Sequence, residues 1–382
     1  MTESSPPPDI SIEVFGKTDV GLVREHNEDN FLIADVTGAA RTAEPREPFK
    51  FPLGDKGAAF LVCDGMGGAA AGEVASQMAV DSIYDALAAS EPQQRDHFAR
   101  LLRRAVQIAN EKIFIQSRDN QSERGMGTTC TVASLVDDTL IVAQIGDSRC
   151  YILRDGKLAQ VTKDQSLAWQ LIEAGAMTAD EAKAFEHANI ILQALGVQER
   201  VEVVLSQVSL RRGDIALLCS DGLHGPVSDD EILAVLIGEP NLQKAGEALI
   251  QKALDRDGPD NITVVLGRFD GPGLMAPAPE DVVSFVGYDP GGDPIPEALG
   301  SGDDHSLARE TVEERLPRDM LTADDIPTKA ELDEPTPPPK HREARTGRSL
   351  LALFLLALVA AATGGIFVMK CERDQGSKVS LP

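Results

Sequence analysis

The sequence predicts a mixed α+β domain with layered, mainly antiparallel strands, and three observations carry that reading. Short β-rich apolar runs recur at 10–15, 58–63, 128–136, 140–145, 150–153, 201–208, 215–219 and 262–269. Helical periodicity is gathered into two blocks, 73–89 with 97–117 and 229–236 with 242–254. Strands and helices are therefore clustered, where a doubly wound parallel sheet would alternate them one for one.

Taken in order, each element has a local reason. The runs at 58–63 and 215–219 are apolar throughout, as expected of strands covered on both faces. Asp155-Gly156, set between Tyr151-Ile152-Leu153 and Leu158-Ala159-Gln160-Val161, is a two-residue hairpin signal. In 97–117 the residues Phe98, Leu101, Leu102, Ala105, Ile108 and Ala109 recur at helical spacing and predict one buried stripe. A further helix follows Ser166, where Leu167 and Trp169 are expected to pack. One domain over 10–271 accounts for all of these, after a disordered N-terminus at 1–9.

Beyond Gly271 the composition changes. Residues 272–348 are rich in Pro, Asp and Glu and include Pro335-Thr336-Pro337-Pro338-Pro339, which reads as an acidic, disordered, locally stiff linker. Leu350 to Met369 is twenty residues without a charge, matching a hydrocarbon core about 30 Å thick at about 1.5 Å per residue. Lys340, Arg342, Arg345 and Arg348 precede it, and a short mixed tail, 370–382, follows. The expectation is a single-pass transmembrane helix over 349–369 in the cytoplasmic membrane, with the domain facing the cytoplasm.

The formal charge of −25 excludes a nucleic-acid binder that works by neutralising phosphates. The five cysteines, Cys63, Cys130, Cys150, Cys219 and Cys371, form no C-x-x-C pair. Four of them sit in apolar runs and are expected to be buried free thiols. The first residues, Met1-Thr2-Glu3-Ser4-Ser5 and three prolines, lack a basic and an apolar region, so no secretory signal peptide is expected.

Function is carried by four acidic motifs: Asp64-Gly65-Met66-Gly67-Gly68, Gly146-Asp147-Ser148-Arg149, Ser220-Asp221-Gly222 and Asp260-Asn261. Each places a carboxylate beside an apolar run and a turn former. One such aspartate is usually a turn maker. Four together, with no lysine as partner in the same motifs, supply the hard oxygen ligands of Mg²⁺ or Mn²⁺. Arg24, in Arg24-Glu25-His26-Asn27-Glu28-Asp29, adds a guanidinium fork suited to a phosphate. Acidic metal ligands with one arginine describe phosphoester hydrolysis, in which two ions lower the pKa of a water and clamp the attacked group.

These motifs, with Gly125-Met126-Gly127-Thr128-Thr129 and Asp260-Asn261-Ile262-Thr263, resemble the metal-dependent serine/threonine protein phosphatases of the PPM, or type 2C, family, in its bacterial branch. All occur in the family's order over residues 10–270. The resemblance implies a four-layer αββα sandwich with a dinuclear metal site at one end. It implies that Asp64 bridges two core ions, Mn²⁺ or Mg²⁺, that Gly65 offers its carbonyl, and that Asp221 and Asp260 complete the pair. Asp147 with Asp221 would hold a weaker third ion, Asp29 would act through water, and Arg24 would bind substrate phosphate. Phosphorylated proteins are the implied substrates, and a serine/threonine kinase the implied opponent. Three departures stand out: Met66 where animal members carry a histidine, Gln165 where the family usually has one, and an arginine-free stretch at 189–196. They fall near a flap, 164–196, expected to shape substrate access. The alternative is a non-catalytic phosphoprotein-binding scaffold, which would be expected to lack one of the metal aspartates; none is missing. His26, His187 and His224 have no second histidine at helical spacing and are expected to be structural or on the surface, with His26 and His224 as candidates for proton transfer.

Overall fold

A computed structural model describes residues 9–291, apart from 44, 46, 68–70, 93, 179–180, 183–184, 186 and 188–189. Two six-stranded antiparallel sheets form the centre. The first runs in the order β11–β10–β13–β14–β1–β4, with β1 Ser11–Asp19, β4 Phe49–Pro52, β10 Arg149–Arg154, β11 Lys157–Gln160, β13 Ile215–Cys219 and β14 Ile262–Asp270. The second runs β12–β9–β8–β5–β2–β3, with β2 Asn30–Asp35, β3 Ala40–Thr42, β5 Ala58–Cys63, β8 Cys130–Val136, β9 Thr139–Ile145 and β12 Val204–Ser209. A two-stranded ribbon joins β6, Gly65–Met66, to β7, Gly127–Thr128.

Strand β5 shows why the sheets stack as they do. Ala59, Leu61 and Cys63 enter one core, while Ala58, Phe60 and Val62 enter another. The period of two is intact, but both faces are apolar, so the run reads as continuous. Between the sheets lie Ile12, Val14, Phe60, Val142, Ile152, Leu218 and Phe269. The second sheet's outer face is covered by α1, Ala71–Ala88, and α2, Arg95–Asp119. Helix α2 buries Phe98, Leu102, Ala105 and Ala109 of the expected stripe, together with Val106 and Ile113, while Leu101 and Ile108 are half-buried.

The first sheet's outer face is covered by α5, Asp229–Gly238, and α6, Leu242–Leu254. Glu231 accepts from the amide and hydroxyl of Ser228 at 3.3 and 2.9 Å to start α5, and Asn241 accepts from the Lys244 amide at 3.0 Å to start α6. Short helices among the described residues include α3, Leu167–Glu173, and α4, Asp221–His224. The layers run helix, sheet, sheet, helix. Cys63, Cys130, Cys150 and Cys219 are buried free thiols.

The register brings several chain reversals to one end of this sandwich. Asn30 opposes Cys63, Cys130 opposes Ile145, Arg149 opposes Cys219, and Asp19 opposes Ile262. The residues just beyond those pairs therefore share one rim.

The chain stays packed on the domain beyond Gly271. Leu274 is buried against the inter-sheet core, with Val283 packed on it. Arg211 grips Asp281 through Nε and Nη2 at 2.8 and 3.0 Å. The Tyr288 amide donates to the Leu205 carbonyl at 2.8 Å, and Arg100 reaches the Pro290 and Gly291 carbonyls. A strap over 272–291 thus belongs to the domain. Its Pro- and acid-rich composition resembles a linker because it uses the domain's edge for its hydrogen bonds and forms no element of its own. No helix among the described residues is long and apolar enough to cross a membrane; the run 350–369 lies outside them.

A fragment ending at Gly271 is expected to lose about 2–4 kcal/mol relative to one ending at Gly291, because it lacks the packing of Leu274, Val283 and Tyr288 and leaves Arg211 without Asp281. That corresponds to a melting temperature lower by roughly 5–10 °C. Equal melting temperatures for the two fragments would show that the strap contributes nothing.

Candidate active site

The rim of the sandwich gathers the acidic motifs. Asp64 follows β5, Asp221 follows β13 after Ser220, Asp260 precedes β14, Asp147 turns between β9 and β10, and Asp29 ends the loop from β1 to β2. Each strand terminates here with a residue that cannot remain in an apolar layer, which is why the carboxylates share one place.

Local hydrogen bonds hold each of them. The Asp64 amide donates to Thr129 Oγ1 at 2.9 Å, and the Asp64 carbonyl accepts from the Thr129 amide at 2.8 Å and Thr128 Oγ1 at 2.9 Å. Thr129 Oγ1 also lies 2.7 Å from Ser148 Oγ, tying the Asp64 strand to the Asp147 turn. Gly65 packs so tightly that a Cβ would sit 2.3 Å from the Gly72 carbonyl oxygen and 2.5 Å from that of Glu28. No larger residue fits there.

Asp29 Oδ2 accepts from Ser220 Oγ at 2.7 Å and Thr263 Oγ1 at 2.6 Å. Asn261 is the hub of the opposite side. Its Nδ2 donates to the carbonyls of Val20 and His26 at 2.9 and 3.0 Å, and its Oδ1 accepts from the Glu28 amide at 2.8 Å. Arg24, half exposed, donates from Nη2 to Asp260 Oδ2 at 2.7 Å. The structure therefore pairs the expected phosphate anchor with an expected ligand.

His224, Gln165 and Arg149 take supporting roles that the sequence does not assign. His224 Nε2 lies 3.0 Å from the Asp147 carbonyl oxygen, and burial holds the ring neutral. The neutral ring then donates from Nε2. Gln165 Oε1 accepts from the Gly146 amide at 2.9 Å, so this departure from the family pattern buttresses the same turn. Arg149 binds Asp164 through Nε and Nη2 and bonds the Tyr151 hydroxyl at 2.9 Å. Ser220 and Asn261 each adjoin a motif aspartate and Thr263 closes the Asp260-Asn261-Ile262-Thr263 motif; that proximity is the signal available for them. His26 is exposed.

The electrostatics show how close the carboxylates are. Asp64 is raised well above its ordinary value by burial first, then by the charges of Asp29, Asp221, Asp147 and Asp260. Asp221 is raised by burial and by Asp260, and lies within proton-sharing reach of Asp64. Burial pushes Asp29 up to about 7 and Asp147 up to about 8, with Asp221 adding to both.

These residues fit a hard divalent cation. Asp29 Oδ1, Asp147 Oδ1 and Asp221 Oδ1 are buried with no hydrogen-bond partner, a costly arrangement that a cation relieves. Among the described residues no three acidic, histidine or cysteine side chains have the mutual spacing of a closed metal cage. A small cation that keeps several waters needs only one or two carboxylates and does not require such a cage.

Both Asp29 and Asp147 titrate higher in the fold than in the unfolded chain, where aspartate titrates at about 4. Their stabilising contribution is complete below about pH 4 and is lost as pH rises through about 7 and about 8. Chelated protein is expected to lose about 2 kcal/mol or more between pH 5 and pH 8, measured by urea unfolding. Paired groups such as Asp281, held at about 2 by Arg211, act only below this window. A flat profile across it would contradict the crowding of these carboxylates.

Comparison with known proteins agrees with this geometry. The sequence model of the family described as Protein phosphatase 2C matches residues 49–256. The serine/threonine phosphatase stp of Listeria monocytogenes is 35% identical over 255 residues, covering 66% of this chain and 94% of that protein. The serine/threonine protein phosphatase PstP of Mycobacterium tuberculosis is 36% identical over 358 residues, 92% of this chain and 60% of that protein. The crystal structure of the catalytic domain of the phosphatase PstP in complex with two manganese ions superposes with a TM-score of 0.57 at 34% identity. It covers 69% of this chain and all of that one.

Proposed function

This chain belongs to the protein phosphatase 2C family of metal-dependent serine/threonine phosphatases, and from that premise we propose which residues do the work and where the enzyme acts. It removes phosphate from phosphoserine and phosphothreonine in proteins, using Mn²⁺ or Mg²⁺. The observation that supports the site assignment is the set of buried, unpartnered carboxylate oxygens beneath a half-exposed arginine.

Asp64, Asp221 and Asp260 would hold the two core ions, with the Gly65 carbonyl as a further ligand. Asp147 and Asp221 would hold a weaker third. Asp29, anchored by Ser220 and Thr263, acts through water. When bound, the ions supply Lewis acidity toward phosphoryl oxygens and lower the pKa of water. Arg24 uses one N–H on Asp260; the rest of its fork is free to bind and orient the substrate phosphate and to offset charge on its oxygens.

Asp64→Asn and Asp221→Asn are each expected to cut metal-dependent hydrolysis of p-nitrophenyl phosphate by more than about a hundredfold, with unchanged circular dichroism. Retained metal-dependent turnover in both variants would overturn the assignment. A wild-type protein inactive with either metal would favour the scaffold reading.

The apolar run 350–369, flanked by basic residues, supports a single-pass anchor with the catalytic domain in the cytoplasm. There the enzyme would oppose a serine/threonine kinase. The full chain is expected in the salt-washed membrane fraction, and a chain ending at Gly291 in the soluble one. Full chain recovered as soluble protein would refute the anchor.

A further inference from the structure

The turn that delivers Arg24 to the rim displays aliphatic side chains to solvent. Val20, Leu22 and Val23 are 36%, 67% and 65% exposed. Other large exposed hydrophobics among the described residues are scattered, whereas these are three within four consecutive positions. Isolated exposed aliphatics are ordinary on a protein surface; a cluster marks a contact.

The turn is also held rigidly to the site. The Gly21 amide donates to Asp19 Oδ1 at 2.9 Å, the Leu22 amide to the Gly258 carbonyl at 2.9 Å, and Asn261 Nδ2 to the Val20 carbonyl at 2.9 Å. Gly21, at φ +78°, lies so close to Asp260 that a Cβ would be 2.2 Å from its carbonyl oxygen. The backbone that presents Leu22 and Val23 is thus the backbone that borders Arg24 and Asp260. A rigid apolar surface binds with little ordering cost.

We propose that Leu22 and Val23 contact the polypeptide flanking the phosphoresidue and select substrates with an apolar side chain within two positions of it. This rests on Arg24 as the phosphate anchor. Leu22 and Val23 immediately precede Arg24 in the chain, and two residues of extended substrate span about 7 Å. With the phosphate on Arg24, a neighbouring side chain of the substrate falls over the turn. An apolar one removes its own surface and that of Leu22 and Val23 from water.

The test uses the full chain with Mn²⁺ and two phosphothreonine peptides that differ only in carrying Leu or Ser at the two positions either side of the phosphothreonine. The Leu peptide is expected to have a kcat/KM about tenfold higher, mainly through KM, since apolar discrimination in a pocket is of that order. Leu22→Ser combined with Val23→Ser removes the preference, and Leu22→Met combined with Val23→Ile keeps it. Turnover of p-nitrophenyl phosphate, which has no flanking chain, stays within about twofold in both variants.

The proposal is overturned by equal kcat/KM for the two peptides in the wild type, or by a preference that survives the Ser pair. It is also overturned if p-nitrophenyl phosphate turnover falls in parallel, since the turn would then act by positioning Arg24. A shift from dimer to monomer in the Ser pair, with the peptide preference intact, would assign the patch to a second copy of this chain. Wild-type protein inactive on p-nitrophenyl phosphate would sink the phosphatase reading itself, an outcome distinct from all of these.

Discussion

Four carboxylates, Asp29, Asp64, Asp147 and Asp221, are drawn out of water at one end of a β-sandwich within electrostatic reach of each other. Like charges in such a place oppose folding, because each loses hydration and repels the others. The apolar cores on both faces of each sheet provide the free energy that holds them there. The surrounding hydrogen bonds determine their geometry.

Those bonds come mainly from hydroxyls and backbone. Thr128 and Thr129 clasp the Asp64 backbone, Ser220 and Thr263 hold one oxygen of Asp29, and Ser148 couples the Asp64 and Asp147 segments. Asp29, Asp147 and Asp221 each keep one buried carboxylate oxygen without a hydrogen-bond partner, open to a cation. The neutral ring of His224 and the amide of Gln165 support the Asp147 turn from behind without adding charge. A charged partner there would neutralise the ligand field; Arg149 is instead engaged by Asp164 and Tyr151. Arg24 is the exception. It stands at the solvent rim, where its pairing with Asp260 is weak enough to share with a phosphate.

Legibility from the sequence varied with the length and environment of each element. Strands β5 and β13 and helix α6 fall on the residues expected, because each is a long apolar or amphipathic run bounded by turn formers. Strand β2 was not anticipated: its apolar part, Phe31 to Ala34, is only four residues long and abuts the acidic loop. Helix α4 is a single turn, too short for any period. Strand β12 starts at Val204, three residues later than its apolar run, because Val201 packs on the helix-facing core before the strand begins. The strap over 272–291 could not be read from composition, since its order derives from Arg211, Leu205 and α2.

The sequence by itself determined the chemistry. The order and identity of the acidic motifs named the candidate carboxylates and arginine, and apolar periodicity named the layers, because both signals are local in the chain. Only the tertiary structure decided what those residues touch. The Arg24–Asp260 pair, the hydroxyls bonded to Asp29 and the three bonds of Asn261 join positions as much as 241 residues apart. Such contacts follow from sheet register and layer stacking. No window of sequence contains them, and the exposed Leu22-Val23 turn acquires meaning only from the site beside which register places it.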